Sequence, residues 1–417
     1  MKTLFKSLLA LSVMAVILSG CGNGSSNNKG AISGSAAEKV YVAPGQHDEF
    51  YAFISGGFSG QLAVYGLPSG RLFKVIPVFS VDAEKAYGFN EETKPMLTTS
   101  YGQIPWGDAH HPDISQTNGE LDGRWVFINE NNTPRIAKID LTTFETTEII
   151  EIPNSAGNHS SSYVTENTEY VIAGTRFGIP IPQRDMPINE YKGNFKGTLS
   201  FVKVDPKDGK MDLSFQILMP GFDYDKAHPG RGDSHGWFFY TTYNSEEANS
   251  LLEVNASQND KDFIAAVNWK KAEEYIKAGK FKTMKTNYAH NVYDDNTHTA
   301  TTTWGKEVRI LDPAECPGLV YFLPTPKSPH GCDVDPTGEY IVASGKLSAD
   351  VTVHSFTKML KAIKENKVAK TVYGIPVLEF EAVHAGSVKQ AGLGPLHTEF
   401  DAKGNAYTTF FISSEVV

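Results

Sequence analysis

Histidine is the residue type in this sequence whose positions most clearly indicate a chemical function. They stand in four contexts, which are GDAHHPDIS with His110 and His111, IPNSAGNHSSS with His159, KSPHGCDVDPTGEY with His330, and GLGPLHTEFDAKGNAYTTFF with His397. In each context the histidine lies at the edge of a strand-like run, beside proline, glycine or asparagine. Imidazole nitrogens bind copper, zinc, iron and nickel, so these histidines indicate a metal site without selecting the metal.

His110 and His111 are neighbours in the chain, which is an unusual spacing for two ligands of one site. In an extended strand, adjacent side chains point to opposite faces. Both can serve one site if that site is larger than a single ion, with backbone distortion beside Pro112 redirecting one ring. Asp108 is interpreted as the acceptor that orients an imidazole through its other N–H. A strand-end cap is the alternative role for Asp108.

Short strands are the elements that must position these histidines. From residue 40 onward, runs rich in Val, Ile, Tyr and Phe alternate with Gly, Pro, Asn and Asp. This pattern predicts an all-β sandwich, barrel or propeller. In a propeller, strand ends from several blades face the central axis, where histidines can converge. Two helices, predicted at residues 268–280 and 356–367, look like insertions between blades.

The first residues have the pattern of an export signal. Two lysines precede an apolar run, and the run ends in LSGC, which resembles a bacterial lipobox. We therefore expect residues 1–20 to be a lipoprotein signal peptide, Cys21 to carry the lipid, and residues 21–40 to form a flexible tether. The protein would then be lipid-anchored on the periplasmic side of the cell envelope. A transmembrane anchor is the alternative, but the run is shorter than the ~20 residues needed to span a bilayer.

Composition and charge restrict the classes of partner. The 417 residues include 40 % hydrophobic and 21 % charged residues, which is typical of a globular protein. The net charge of −10 argues against nucleic acid or an anionic membrane surface as the main partner. Cys316 and Cys332 fit no zinc spacing and are expected to be buried thiols. A disulfide between them stays open, because exported proteins form disulfides.

The four histidine contexts resemble the copper-ligand motifs of nitrous oxide reductase. DAHHPDIS is similar to that family's Asp-x-His-His motif, PKSPHGCDVDPTGEYIVASGKLS to its Asn-Pro-His-Gly segment, and DEFYAFISGGFSGQLAVYGLPSGR to its first blade. The resemblance implies a seven-bladed β-propeller over residues 41–417, incomplete in this chain. It implies a tetranuclear copper–sulfide cluster with seven histidine ligands. Five of these would be His110, His111, His159, His330 and His397.

Two further ligands and a cupredoxin domain are expected beyond residue 417. In the family, that domain holds a dinuclear copper centre that receives electrons. The resemblance also implies a calcium site in TTYNSEEANSLLEVNASQNDKDF, with the Tyr243 carbonyl and the Glu246 and Asp260 carboxylates as oxygen ligands. Ser328 stands where the family has an asparagine donor. Solvated loop acids are the alternative for Glu246 and Asp260.

The resemblance implies the two-electron, two-proton reduction of N₂O to N₂ and water. The electron donor would be a c-type cytochrome or a cupredoxin, and the full-length protein would be a homodimer. This chain alone is expected to be inactive. A non-catalytic, lipid-anchored β-propeller that binds a partner is the alternative of a different class, because propellers host many functions. A different metal-loaded propeller, or a periplasmic metal carrier, is a third interpretation.

The remaining histidines match no ligand motif. They are His228, His235, His290 and His298, together with His47, His354 and His384. The last three are expected to be surface or structural residues.

Overall fold

The computed structural model describes residues 35–181, 187, 190, 194–245 and 261–417. The chain forms two compact units, Met1–Phe50 with Gly66–Gly70, and Tyr51–Tyr65 with Arg71–Val417. The first unit contains helix α1 (Ala36–Val40), which begins with a capping box. The Glu38 amide donates to the Ser35 hydroxyl at 3.2 Å, and the Ser35 amide donates to the Glu38 carboxylate at 2.7 Å. Within the described part of the chain, no helix is long and apolar enough to cross a membrane.

Antiparallel sheets follow one another along the second unit. The first sheet contains β1 (Phe50–Ser55), β2 (Gln61–Leu67) and β3 (Leu72–Pro77). A 3₁₀ turn (Lys94–Leu97) and a small hairpin of β4 (Thr98–Thr99) and β5 (Gly102–Gln103) come next. The second sheet contains β6 (Ala109–Thr117), β7 (Glu120–Glu130), β8 (Arg135–Asp140) and β9 (Glu145–Glu151).

The third sheet contains β10 (Ala156–Val164), β11 (Tyr170–Phe177), β13 (Phe195–Val204) and β14 (Met211–Pro220), with β12 (Ile179–Pro180) paired to β13. The fourth begins with β15 (Phe222–Pro229), a 3₁₀ turn (Gly232–Ser234), β16 (Trp237–Ser245) and β17 (Phe263–Asn268). Helix α2 (Trp269–Lys277) and a long hairpin, β18 (Lys282–Asp294) and β19 (Thr299–Leu311), then precede its fourth strand, β20 (Val320–Pro324). The hairpin joins other sheets, because β18 pairs with β9 and β19 pairs with β14.

The fifth sheet contains β21 (Pro329–Val334), β22 (Tyr340–Gly345) and β23 (Val351–Ser355). Helix α3 (Phe356–Lys364), β24 (Val368–Val372), β25 (Ile375–Leu378) and helix α4 (Phe380–Val383) come before its last strand, β26 (His384–Val388). β24 and β25 extend the fourth sheet through β20. The sixth sheet contains β27 (Pro395–Phe400), β28 (Ala406–Phe410) and β29 (Glu415–Val416).

This succession of meanders is an all-β, propeller-like fold, which confirms the predicted fold class. The described residues provide six blade-like meanders, and the β18–β19 hairpin joins the second and third of them into one eleven-stranded sheet. The first strands of successive sheets contact one another, β6 with β10, β10 with β15, β15 with β21, and β21 with β27. These five strands therefore line the axis around which the blades are arranged. The seven-blade count stays a prediction.

The two predicted helices interrupt the fourth and fifth sheets in chain order, and each also packs against the preceding sheet. α2 stands between the third and fourth strands of the fourth sheet, and α3 between the third and fourth strands of the fifth. The Trp269 ring of α2 contacts Tyr170 of β11 in the third sheet, and the Phe356 ring of α3 contacts Trp237 of β16 in the fourth. Trp269 of α2, whose side chain is fully buried, packs in one core cluster with Phe238 of β16 and Phe322 of β20. Such a buried apolar face keeps each helix packed between two neighbouring sheets.

Candidate metal centre

The structure brings the five histidines together at the axial strands. His110 and His111 lie on β6, His159 on β10, His330 on β21 and His397 on β27. The ring centroids of His110, His111 and His159 lie 4.4–4.8 Å from one another. The His330 ring lies 6.2 Å from His159 and 4.9 Å from His397. One nitrogen from each of His110, His111 and His159 lies within 4.8 Å of the others. We call these five residues the histidine cluster.

Every residue of the cluster lies in a β-bulge, where one strand has an extra residue relative to its partner. On β6, Ala109 pairs with Glu130 and Pro112 with Ile128, so the bulge contains His110 and His111. The register also shifts around the other three histidines, between Asn158 and Ser160, Pro329 and Gly331, and Pro395 and Thr398. A bulge breaks the alternation of faces and re-aims side chains. This is why adjacent His110 and His111 both turn toward the axis.

Side chains from neighbouring strands satisfy backbone groups in two of these bulges. The His111 amide donates to the Asn129 side-chain oxygen at 2.7 Å, and the His397 amide donates to the Thr409 hydroxyl at 3.2 Å. Asn129 is fully buried, and its amide group also donates to the Asn158 carbonyl. These contacts stabilise a distorted backbone that the sheet ladder alone does not satisfy.

Three rings have their Nδ1 atoms held by oxygen acceptors. His111 Nδ1 is 2.9 Å from the His159 carbonyl oxygen. His159 Nδ1 and His330 Nδ1 lie 2.7 Å and 3.0 Å from the two carboxylate oxygens of Asp225. A ring that donates through Nδ1–H keeps an unprotonated Nε2 for a metal, and outer acceptors of this kind fix tautomer and orientation. The arrangement fits a metal that is bound through Nε2 of these rings.

Asp225 is the functional candidate that sequence reasoning missed. It lies in the register shift of β15 between Tyr224 and Ala227, and its side chain is fully buried. Arg176 Nη1 lies 3.0 Å from one carboxylate oxygen, and Lys346 Nζ lies 3.6 Å from the other. Burial opposes ionisation, but Arg176 and the two histidine rings hold the carboxyl pKa well below its usual range. Asp225 therefore carries a negative charge at the centre of the site.

Asp108 occupies a different position from the one expected of an imidazole acceptor. Its Oδ1 is 3.9 Å from His110 Nδ1, which is longer than a hydrogen bond. The Asp108 carboxylate instead accepts from the Asn131 side chain at 3.3 Å. Asp108 therefore makes no hydrogen bond to His110 in this structure, and its role as the acceptor for that imidazole stays a prediction.

Burial keeps most of the cluster neutral. It lowers the pKa of His110, His111 and His159 from the usual range, and it lowers the pKa of His397 to about 4. Neighbouring histidines lower these values further. Neutral imidazole is the form that binds metals, so the folded chain prepares the rings for an ion.

The contact between His330 and His397 fits two ligands of one ion. His330 Nε2 and His397 Nε2 lie 3.1 Å apart. Two nitrogens that each lie about 2.0 Å from an ion, at angles between a right angle and a trigonal one, are roughly 2.8–3.5 Å apart. Because Asp225 accepts from His330 Nδ1, the facing Nε2 carries a lone pair that needs a proton or a cation. The donor set thus suits a metal that prefers nitrogen ligands.

Other predicted site residues lie wholly or partly outside the described residues. Glu246, Asp260, Cys21 and the segment 1–20 are outside them, and Tyr243 is described only as backbone at the end of β16. Ser328 is buried with φ of 53°, and its amide donates to the Asp262 carboxylate at 3.0 Å. The calcium site stays a prediction. Cys316 and Cys332 are buried free thiols, so the structure has no disulfide between them.

No family model matches the chain. Nitrous-oxide reductase from Pseudomonas fluorescens is 33 % identical over 406 residues, which cover 95 % of this chain and 57 % of that protein. The enzymes from Stutzerimonas stutzeri and Ralstonia nicotianae are each 32 % identical, over 91 % and 99 % of this chain. The chain is a relative of the nitrous-oxide reductases.

The match to nitrous-oxide reductases fits an N-terminal portion of those proteins. The chain spans between 54 % and 61 % of the length of these relatives. Kuenenia stuttgartiensis hydrazine synthase has a similar structure, with a TM-score of 0.50 and 13 % sequence identity, over 88 % of this chain and 79 % of that one. This likeness concerns the fold alone.

Proposed function

We propose that the chain is the histidine-bearing part of a nitrous-oxide reductase. The reaction would be N₂O + 2 H⁺ + 2 e⁻ → N₂ + H₂O, in which the N–O bond breaks and two O–H bonds form. The observation that carries the proposal is the convergence of five histidines from four separate sequence contexts on one axial cluster. The alignments to relatives named nitrous-oxide reductase, which cover 91–99 % of the chain, support this assignment.

Copper is the metal that we propose for this cluster, as a tetranuclear copper–sulfide centre. His110, His111, His159, His330 and His397 would be its ligands within this chain. Nitrogen donors bind copper more strongly than other divalent ions of the first transition series. When bound, the copper would supply electrons and polarise the oxygen of N₂O.

The charged residues around the cluster have separate roles in this proposal. Asp225 fixes two imidazoles through their Nδ1–H groups and so directs Nε2 toward the metal. Arg176 balances the buried carboxylate at 3.0 Å. Lys346 Nζ lies 3.6 Å from the other oxygen of the same carboxylate and would be a second cation beside it. Lys346 belongs to the GKLS run in the sequence.

The proposal also covers parts of the whole protein that these site residues do not include. Two further histidine ligands and a dinuclear copper centre would come from parts of the protein outside these 417 residues. A c-type cytochrome or cupredoxin would supply electrons, and the protein would act as a homodimer. We also propose a calcium ion at Tyr243, Glu246 and Asp260, a lipid on Cys21 after removal of residues 1–20, and a location on the periplasmic side of the envelope. Residues 21–40 would tether the 41–417 propeller.

Consumption of N₂O with reduced viologen tests the proposed function. The comparison is between copper-loaded residues 22–417 and the copper-loaded full-length protein. We expect turnover by the full-length protein and none by residues 22–417. Turnover by residues 22–417 would show that the catalytic parts are misplaced. Inactivity of a fully metallated full-length protein would contradict the reductase assignment.

A further inference from the structure

A cavity of about 520 Å³ extends from one side of the histidine cluster. Its wall includes His111 and His397 at the cluster, and Gln116 and Arg231 farther away. His111 and Gln116 lie on the same strand, β6. Because a strand rises about 3.3 Å per residue, the cavity continues roughly 16 Å along the strand from the cluster. It is therefore an elongated space along the propeller axis, and we call it the axial cavity.

The axial strands form the wall of this cavity beyond the cluster. Lining residues follow cluster residues on the same strands, and they include Asp113, Gln116, Tyr163, Val164, Lys226 and Glu399. β6, β10, β15 and β27 each place a histidine or Asp225 at the cluster and a cavity residue farther along. The lining therefore extends from the cluster along four of the five axial strands.

The wall is polar, which indicates that the cavity holds water. Asp113, Lys226 and Glu399 place ionisable groups along it, and Lys226 pairs with buried Asp333. The buried Tyr163 hydroxyl lies near the Ala227 backbone but makes no hydrogen bond of normal geometry with the residues that the structure describes. Buried polar groups of this kind normally bind water where no protein partner is present. The volume has room for on the order of ten or more water molecules.

We propose that the axial cavity is a hydrated passage through which water reaches the cluster at His111 and His397. Its use rests on the proposed function, because N₂O reduction consumes two protons and releases one water. The passage would carry that water out and would bring hydrated protons to the site. The hydrated route itself requires no metal, so it can be tested on the metal-free protein.

Deuterium exchange at the imidazole Cε1 position reads water access for each histidine. The assay uses the purified, metal-free chain in deuterated water, with peptide mass spectrometry and rates taken from the pH-independent limit. We expect His111 and His397 to exchange much faster than His354, which is fully buried. Gln116→Trp should fill the cavity and slow His111 and His397 several-fold. His110 does not line the cavity and should keep its rate.

A matched control separates cavity filling from a general effect of the substitution. Glu120→Trp adds the same side chain to an exposed position on the adjacent strand, outside the lining, and should change no rate. Slow exchange at His354 reports that a variant is folded. If Gln116→Trp loses that slow exchange, Val164→Phe on β10 is the second cavity-filling variant. Its exchange rates at His111 and His397 are then compared with those of the unmodified protein.

Two results would contradict the proposal of a hydrated passage. One is exchange at His111 and His397 as slow as at His354 in the unmodified protein. The other is unchanged exchange at both histidines in a folded cavity-filling variant. Failure of the reductase proposal gives a different pattern, because a copper-loaded full-length protein without N₂O turnover would leave these exchange rates intact.

Discussion

Replacing Asp225 with asparagine should weaken metal binding by the histidine cluster. The carboxylate accepts from His159 Nδ1 and His330 Nδ1, and an asparagine of the same shape has only one acceptor oxygen. The other ring would face an NH₂ donor and would move its proton to Nε2, the nitrogen available to a metal. Loss of an outer acceptor of a metal-bound histidine typically costs ~10–100-fold in affinity, and we expect a loss in that range.

Asp225→Asn should also destabilise the metal-free protein. Arg176 Nη1 and Lys346 Nζ would lose their negative partner at 3.0 Å and 3.6 Å. Breaking a buried ion pair from one side costs about 3–5 kcal/mol. Partial exposure of Arg176 and Lys346 places this case at the lower end, since water can take over part of the interaction. Urea unfolding monitored by tryptophan fluorescence measures the change in free energy of unfolding.

Copper affinity is measured by competition with a chromophoric chelator. Asp335→Asn is the matched control, because Asp335 is buried and accepts backbone amides of Thr337 and Tyr340 but contacts no histidine of the cluster. The control should lose stability while keeping copper affinity. Copper binding by Asp225→Asn that equals that of the unmodified protein would refute the argument that Asp225 sets the tautomers.

Three further outcomes test the packing and electrostatics of the propeller. Glu166 and Glu169 each lie 3.0 Å from a ring nitrogen of His235, and the hydrogen bond to Glu169 raises the His235 pKa. This stabilisation is fully present below the unfolded-state pKa of about 6.5 and is lost as pH rises through the folded-state pKa. His235→Gln should therefore remove part of the fall in unfolding free energy that occurs as pH rises through the folded-state pKa. An unchanged pH profile of the unfolding free energy would refute the pairing. Gly305→Ala should destabilise by about 1–3 kcal/mol, because its Cβ would lie 2.0 Å from the Tyr288 ring; an unchanged urea midpoint would show that the ring moves away freely. Replacing fully buried Trp269 with Ala should cost about 3–5 kcal/mol in thermal unfolding, and a loss well below 1 kcal/mol would contradict its place in the core.

The fold class was accessible from the sequence because strand-and-turn patterning is a local property. The alternation of short apolar runs with turn residues predicted an all-β fold, and both inserted helices lie close to their predicted positions. Their place in the strand order of a sheet was not accessible. Whether a helix follows the third or the fourth strand of a sheet depends on pairing between distant strands, such as β17 with β20. Local pattern carries no information on that pairing.

The histidines of the site were found from sequence context, whereas the residues that orient them were not. Asp225 lies in the run GFDYDKAH, where nothing local separates it from Asp223. Its role depends on a bulge that turns it toward rings from β10 and β21. Asp108 was chosen because it is close in sequence to His110, but it is 3.9 Å away in space.

The nitrogen coordination of bound copper tests the central claim most directly. X-ray absorption at the copper K-edge would be measured on the copper-loaded chain and on a His330→Ala, His397→Ala double variant. We expect a ligand shell dominated by imidazole nitrogen in the chain and a clear loss of bound copper and of that shell in the double variant. His235→Ala, which removes a histidine outside the cluster, should change neither. An oxygen-dominated shell, or an imidazole shell that is unchanged in the double variant, would contradict the assignment of the axial histidines as the copper site.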